Sequence, residues 1–172
     1  MNLIPDFNTL PAFYTRYVTL VKDSNFLDAL KSSNEMMVKV IQSIPESMGE
    51  YRYAPEKWSI EELLCHVMDA ERIFAYRALR FARNDKTPLS SFEENDYAPQ
   101  ANAHSRTISE LEEEIIRLRQ TTIDLFASFS AEMLQRSGPA NQVTISVLNL
   151  GYIISGHETH HRLVLSERYL KK

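Results

Sequence analysis

The 172-residue chain is short of the residues that build disulfide-stapled, hairpin-rich or nucleic-acid-binding proteins. Its one cysteine, Cys65, excludes an intramolecular disulfide framework and any cysteine-based zinc cluster. Four glycines leave little material for tight β-hairpin turns, which tilts the expectation toward helices. A cationic excess is also missing. Nineteen Lys and Arg face 23 Asp and Glu, a formal net charge of -4, so no electrostatic footprint for nucleic acid is present. No apolar run approaches the roughly 18 residues that a membrane span needs. The first twenty residues mix Pro5, Asp6 and Pro11 with aromatics and lack the basic start and unbroken apolar stretch of a secretory signal. These absences point to a cytoplasmic protein with neither nucleic acid nor membrane as a partner.

What is present suffices for one core. Hydrophobic residues make up 44% of the chain and charged residues 24%, the usage of an ordinary globular domain and too apolar for disorder. At this length a single domain over 1–172 is expected. Residues 1–22 read as an ordered lead-in that packs on the rest of the domain or on a second subunit, the latter giving a homodimer. Residues 23–172 carry four stretches of helical periodicity. The first follows Asp23 and Ser24, either of which can cap it; its stripe is Leu27, Leu30, Met37, Ile41 and Ile44, and Pro45 stops it. The second begins at Ser59, with Glu62 completing a capping box and Trp58 stapling the entry; Ile60, Leu64, Val67, Phe74, Ala78 and Phe81 form its stripe. The third opens at Thr107, where Glu110 closes another capping box, and runs through Leu111, Ile115, Leu118, Leu125 and Phe129. The fourth follows a turn at Gly138 and Pro139, opens near Thr144, and keeps Leu150, Ile154, Val164 and Leu165 on its apolar side.

Four patterns of roughly 20 residues, each about 30 Å long as helix, predict an all-α four-helix bundle. The segment from about Arg83 to Arg106 joins the second pattern to the third. It is long enough to cross the bundle end to end, which allows up-down-down-up connectivity. A structureless connection of that length is usually functional, or hides an element of its own.

The histidines carry the chemistry. Three of the five crowd into Gly156-His157-Glu158-Thr159-His160-His161. On a helix His157 and His161 lie only about 40° apart, the i, i+4 arrangement in which two imidazoles grip one ion. Leu150, Ile154, His157, His161 and Val164 make one continuous row, so this pair faces the bundle interior and His160 sits toward its edge. His66, at the border of the second stripe, is the best candidate for a third ligand. Buried histidines that are merely hydrogen-bonded would be the bland alternative. His157 to His161 also satisfies H-E-x-x-H, the zinc-protease signature in which the glutamate is general base. Against that reading, only eleven residues follow His161, with Glu167 the sole acid among them, and nothing reads as the β-edge that holds an extended peptide.

These residues resemble the DinB-like proteins, a bundle superfamily that includes the YfiT-like metal-dependent hydrolases. The resemblance spans most of the chain. It rests on Tyr51-Arg52-Tyr53-Ala54-Pro55-Glu56-Lys57-Trp58-Ser59 leading into a helix with His66, Asp69, Glu71 and Arg77, then on Phe92-Glu93-Glu94-Asn95-Asp96-Tyr97 and on Gly156 to His161. It implies that His66, His157 and His161 bind one divalent metal, nickel or zinc, with water completing the sphere. It also implies a small-molecule substrate. Known activities in the wider superfamily include thiol-dependent S-transfer and isomerisation with low-molecular-weight thiols such as bacillithiol or mycothiol.

The expectation is therefore a metal-dependent hydrolase or thiol S-transferase in which Glu158, flanking the ligand pair, accepts the proton. A bundle that binds a metal or small ligand without turnover is the alternative. Asn95, Asp96 and Tyr97 are expected to reach the pocket mouth from the crossover. Asp69 and Glu71 either orient the ligand histidines or pair with Arg72 and Arg77. Arg77 either holds a substrate carboxylate or closes an internal salt bridge with Glu71 or Asp69. His104 is expected in solvent, and Cys65, about 100° from its neighbour His66, as a buried free thiol.

Overall fold

The long helices begin where a side chain can take up their free backbone N–H groups. In the computed structural model, which describes residues 5–171, the elements run in chain order α1 (Ala12–Val18), α2 (Phe26–Ile41), α3 (Ile60–Ala82), α4 (Glu94–Tyr97), α5 (Ile108–Ala127), α6 (Ala131–Gln135), β1 (Ser137–Ala140), β2 (Val143–Ser146) and α7 (Val147–Val164), which continues into a π-helical turn at Leu165–Tyr169. Capping boxes form at Ser59 with Glu62 and at Thr107 with Glu110, as their spacing predicts. The cap of α2 is Asn25, whose side chain accepts from the Leu27 N–H, rather than Asp23 or Ser24. That helix ends at Ile41, ahead of Pro45.

The expected helix start near Thr144 is corrected. Residues 137–146 form an antiparallel hairpin that pairs Ser137 with Ser146 and Ala140 with Val143. Its turn residues Asn141 and Gln142 both adopt left-handed φ, 50° and 62°, so the hairpin needs no glycine there. Gly138 lies within β1 against the Phe81 ring; a Cβ at that position would stand 2.1 Å from a ring carbon. The fourth long helix starts at Val147, with Ser146 accepting from the Asn149 N–H.

The four long helices, α2, α3, α5 and α7, pack in the ring order α2–α7–α3–α5. Named contacts give their directions. Phe26 meets Tyr152 and Ser33 meets Glu158, so α2 and α7 run parallel. Phe74 faces His157 while His66 faces His161, so α3 opposes α7. Gln42 reaches Glu112 and Leu30 receives Arg119, so α5 opposes α2. The order is up, down, down, up, and the crossover from Arg83 to Arg106 spans the bundle. That crossover is not structureless: it carries α4 and single 3-10 turns at Ala98–Gln100 and Ala103–Ser105. At Leu89 it bonds to the hairpin strand β1.

Two apolar clusters fill the bundle. One gathers Tyr14, Tyr17, Phe74, Phe81 and the first half of α7. The other gathers Ile60, Leu64, Met68, Leu111 and Leu165. Along α7 the first cluster ends at Ile154 and the second resumes at Val164, and His157, Glu158 and His161 occupy the waist between them. The lead-in helix α1 lies on α7 of its own chain, with the Tyr17 carbonyl so close over Gly156 that a Cβ there would stand 2.2 Å from the oxygen. No helix among the described residues is long and apolar enough to cross a membrane.

Candidate metal centre

Each of the three predicted ligands is brought to the waist by an amphipathic row. His66 comes from the middle of α3, and His157 and His161 come from successive turns of α7. His157 Nε2 stands 3.1 Å from His66 Nε2 and 3.2 Å from His161 Nε2. Ligating atoms of all three lie within 4.8 Å of one another, and the cluster includes no cysteine or carboxylate. His66 and His157 are buried and His161 partly so.

The donors fit a divalent ion. Nitrogens bound at about 2.0–2.1 Å on a tetrahedral ion stand roughly 3.3 Å apart, close to the two separations seen. Protonation would spoil the site, and the surroundings oppose it. Burial is the main cause that lowers the His66 pKa to about 4. Burial, then the neighbouring histidines, hold His157 and His161 well below the ordinary imidazole value. Three uncharged imidazoles directing Nε2 toward one point concentrate lone pairs that a cation relieves. Three protein ligands also leave positions free, as in catalytic rather than structural zinc sites. His161 Nδ1 is buried without a partner among the described residues. His160 lies outside the cluster, its ring tilted against Tyr17 at the cavity wall.

A cavity of about 360 Å³ opens onto the histidines. Trp58, Tyr17 and Phe74 form apolar walls, and Arg16 and Arg77 contribute cations. The Trp58 ring packs on His66, with centroids 4.6 Å apart, and the Trp58 carbonyl accepts from the Tyr169 hydroxyl at 2.7 Å. The π-helical turn thus braces the residue beside His66.

The expectation for Glu158 is corrected by the face of α7 on which its side chain lies. Its side chain is 1% exposed and points away from the histidines into a second polar group. Ser33 and Arg119 donate to its Oε2 at 2.7 Å each, and Asn34 donates to Oε1 at 3.1 Å. Arg119 in turn grips Glu71 through two bonds of 2.9 Å and donates to the Leu30 carbonyl at 2.6 Å. Burial, with the negative charge of Glu71 adding to it, raises the Glu158 carboxyl above its ordinary value despite Arg119. Residue 158 sits about 100° around the helix from residue 157, which puts the two side chains on different faces. The general-base geometry of H-E-x-x-H is therefore absent, because the glutamate has no path to the histidines.

Glu71 pairs with Arg119 and Asp69 with Arg72, so neither pairs with Arg77. Of the crossover residues, Phe92 and Glu94 line the cavity. Asn95 lines a neighbouring cleft of about 230 Å³ that also touches Trp58 and His161, whereas Asp96 and Tyr97 lie on a separate surface hollow. His104 is exposed, as expected, and bonds to Glu61 at 2.8 Å. Cys65 is buried in the second apolar cluster, where desolvation pushes its thiol up to about 11.

Arg119 is the residue that reading the sequence missed. On α5 the buried row is Leu111, Ile115, Arg119, Thr122 and Phe126. Following apolar residues alone diverts the row through Leu118 and Leu125, which are only partly buried. Continuing the spacing of Leu111 and Ile115 by four would have landed on Arg119.

A search of curated proteins finds no match. Among solved structures the chain is similar to YfiT from Bacillus subtilis, described as a probable metal-dependent hydrolase with an unusual four-helix bundle topology. The TM-score is 0.74 at 14% sequence identity, over 84% of each chain, a likeness of fold. The sequence profile of the DinB superfamily matches residues 29–165, which takes in all but the first turn of α2, the other three long helices and all three clustered histidines. The chain belongs to the DinB superfamily.

Proposed function

We propose that the chain is a divalent-metal-dependent enzyme of hydrolase or thiol S-transferase type, with His66, His157 and His161 holding one zinc or nickel ion and a small molecule as substrate. The observation that carries this reading is the convergence of three desolvated, uncharged imidazoles on the wall of a cavity of about 360 Å³. The likeness to YfiT supports it. A bound ion of this kind polarises a carbonyl or lowers the pKa of its water to about 7, and it can equally hold a thiolate, including that of a low-molecular-weight thiol.

The protein's own share is preparation. Burial keeps the ligand nitrogens free of protons at neutral pH, so no proton has to be displaced first. Trp58, Tyr17 and Phe74 limit water around the ligands, which strengthens every charge interaction there. Glu158 is engaged elsewhere, so the reading assigns it no proton transfer. A cytoplasmic location belongs to the same reading. So does a homodimer, for which Phe13 and Leu20 on the lead-in leave apolar surface.

Elemental analysis of purified protein should find close to one equivalent of divalent metal, lost in His157→Ala and in His161→Ala. Equal metal in wild type and both variants would remove the histidine site. In cobalt-substituted protein, millimolar thiols or hydroxamates should alter the visible spectrum, which reports ligand number and type. An unchanged spectrum would leave a protein that binds metal without turnover.

A further inference from the structure

Arg77 is the one buried charge of the cavity that holding a metal does not use. It follows His66 by eleven residues on α3, hence about 20° around the helix and about 16 Å along it, and both residues line the same cavity. The residue is 3% exposed. One of its terminal nitrogens donates to the Ser90 carbonyl at 2.8 Å, and the guanidinium carbon lies 5.8 Å from the Phe74 ring centre. Among the described residues no carboxylate pairs with it. The contrast is Arg119, equally buried, which has two. A guanidinium stays charged and offers five N–H donors, and a buried cation without an anion is unfavourable. Arg16, exposed at the cavity and bonded to the Tyr17 hydroxyl, adds a second cation without an acid partner among the described residues. Glu94, the sole acid of the lining, is exposed at the rim.

We propose that Arg77 is the carboxylate-binding residue of this pocket. The substrate is then a small molecule with an apolar body, a carboxylate at one end and its reacting group at the other. This rests on the functional reading above, which places the reacting end at the histidines. Phe74 sets the scale: its ring centre is 5.8 Å from the Arg77 guanidinium and 6.1 Å from the His157 ring, so the two ends are no more than about 12 Å apart. A single benzyl unit with a sulfur at one end and a carboxylate at the other bridges such a span. One guanidinium balances one negative charge, and its planar fork matches a carboxylate through two parallel bonds.

The test compares 4-(mercaptomethyl)benzoate with the uncharged 4-methylbenzyl mercaptan. Both are titrated calorimetrically into metal-free and into cobalt-loaded protein. The acid should bind about tenfold or more tightly than the neutral thiol in both forms, the scale of a hydrogen bond to a charged group. Arg77→Met should reduce the preference to within about twofold while circular dichroism and cobalt uptake stay unchanged. If that variant does not fold, Arg77→Lys decides: a severalfold drop in the preference supports the proposal, and an unchanged one overturns it. Equal binding of the two probes to wild type, or no binding of either at millimolar concentration, also overturns it. Absent cobalt uptake with the preference intact would remove the metal reading and leave the carboxylate site standing.

Discussion

Helix α7 carries two buried polar centres on different faces, and they are built by opposite rules. On one face Glu158, Arg119, Glu71 and Ser33 form a closed group. The guanidinium makes five contacts at hydrogen-bond distance: two to Glu71 and, through one terminal nitrogen, one each to Glu158, Ser33 and the Leu30 carbonyl. On the other face, among the described residues, the imidazole nitrogens of His66, His157 and His161 meet only one another, and Arg77 has the Ser90 carbonyl and the neighbouring Tyr14 hydroxyl but no carboxylate. Buried polar groups normally find partners within the protein. The closed group obeys that rule and fixes how α2, α5 and α7 meet. The open group breaks it, beside a cavity, which is where a ligand would supply what is missing.

The sharpest way to break the comparison is to remove the cation of the closed group. Arg119→Met strands two carboxylates in the core and should cost about 3–5 kcal/mol, lowering the melting temperature by roughly 10 °C. Glu158→Gln should cost less, about 1–3 kcal/mol, and should leave metal content as in wild type. Urea titration and elemental analysis measure both. A loss under about 1 kcal/mol for Arg119→Met would mean that the group does not brace the fold, and metal loss in Glu158→Gln would return that residue to the site.

Acid sharpens the contrast from the open side. In the unfolded chain the histidines protonate near 6.5, whereas in the folded chain His66 waits until about 4, and burial also holds His157 and His161 well below the ordinary value. Between these limits the unfolded state binds more protons, so metal-free protein should lose stability as pH falls from about 6.5 toward 4. His66→Gln should flatten that slope in denaturation curves recorded at successive pH values; an identical slope would mean that the trio is already hydrated. The smallest effect is expected at the edge of the cluster. His160→Ala should keep its metal and change stability by no more than about 0.5 kcal/mol. Loss of metal with intact helical circular dichroism would shift the site to His157 and His160.

Much of this was legible beforehand, and the exceptions share a cause. Ser59 with Glu62 and Thr107 with Glu110 announce their helices because a cap is local chemistry, settled within four residues. His157 and His161 announce a shared face because helix geometry fixes their angle. The face that Glu158 takes follows from the same angle, but its partners come from Ser33 on α2 and Arg119 on α5, which no local pattern connects. Arg119 itself hides in a row that hydrophobicity steers around. The hairpin at 137–146 escapes notice because its turn takes left-handed φ with Asn141 and Gln142 in place of glycine.

Gly156 has a consequence for how such a domain diversifies. The lead-in helix rests on the bundle at a point with no room for a methyl group, and that helix supplies Tyr14, Arg16 and Tyr17 to the cavity wall. The wall is thus an attachment rather than part of the frame, joined one residue before the first of the clustered α7 histidines. Its sequence can vary, or its seat can be loosened by one added carbon, while the histidines keep their spacing on α3 and α7. The cavity wall and the histidine cluster can then vary separately, so one set of histidines can sit behind differently shaped pockets.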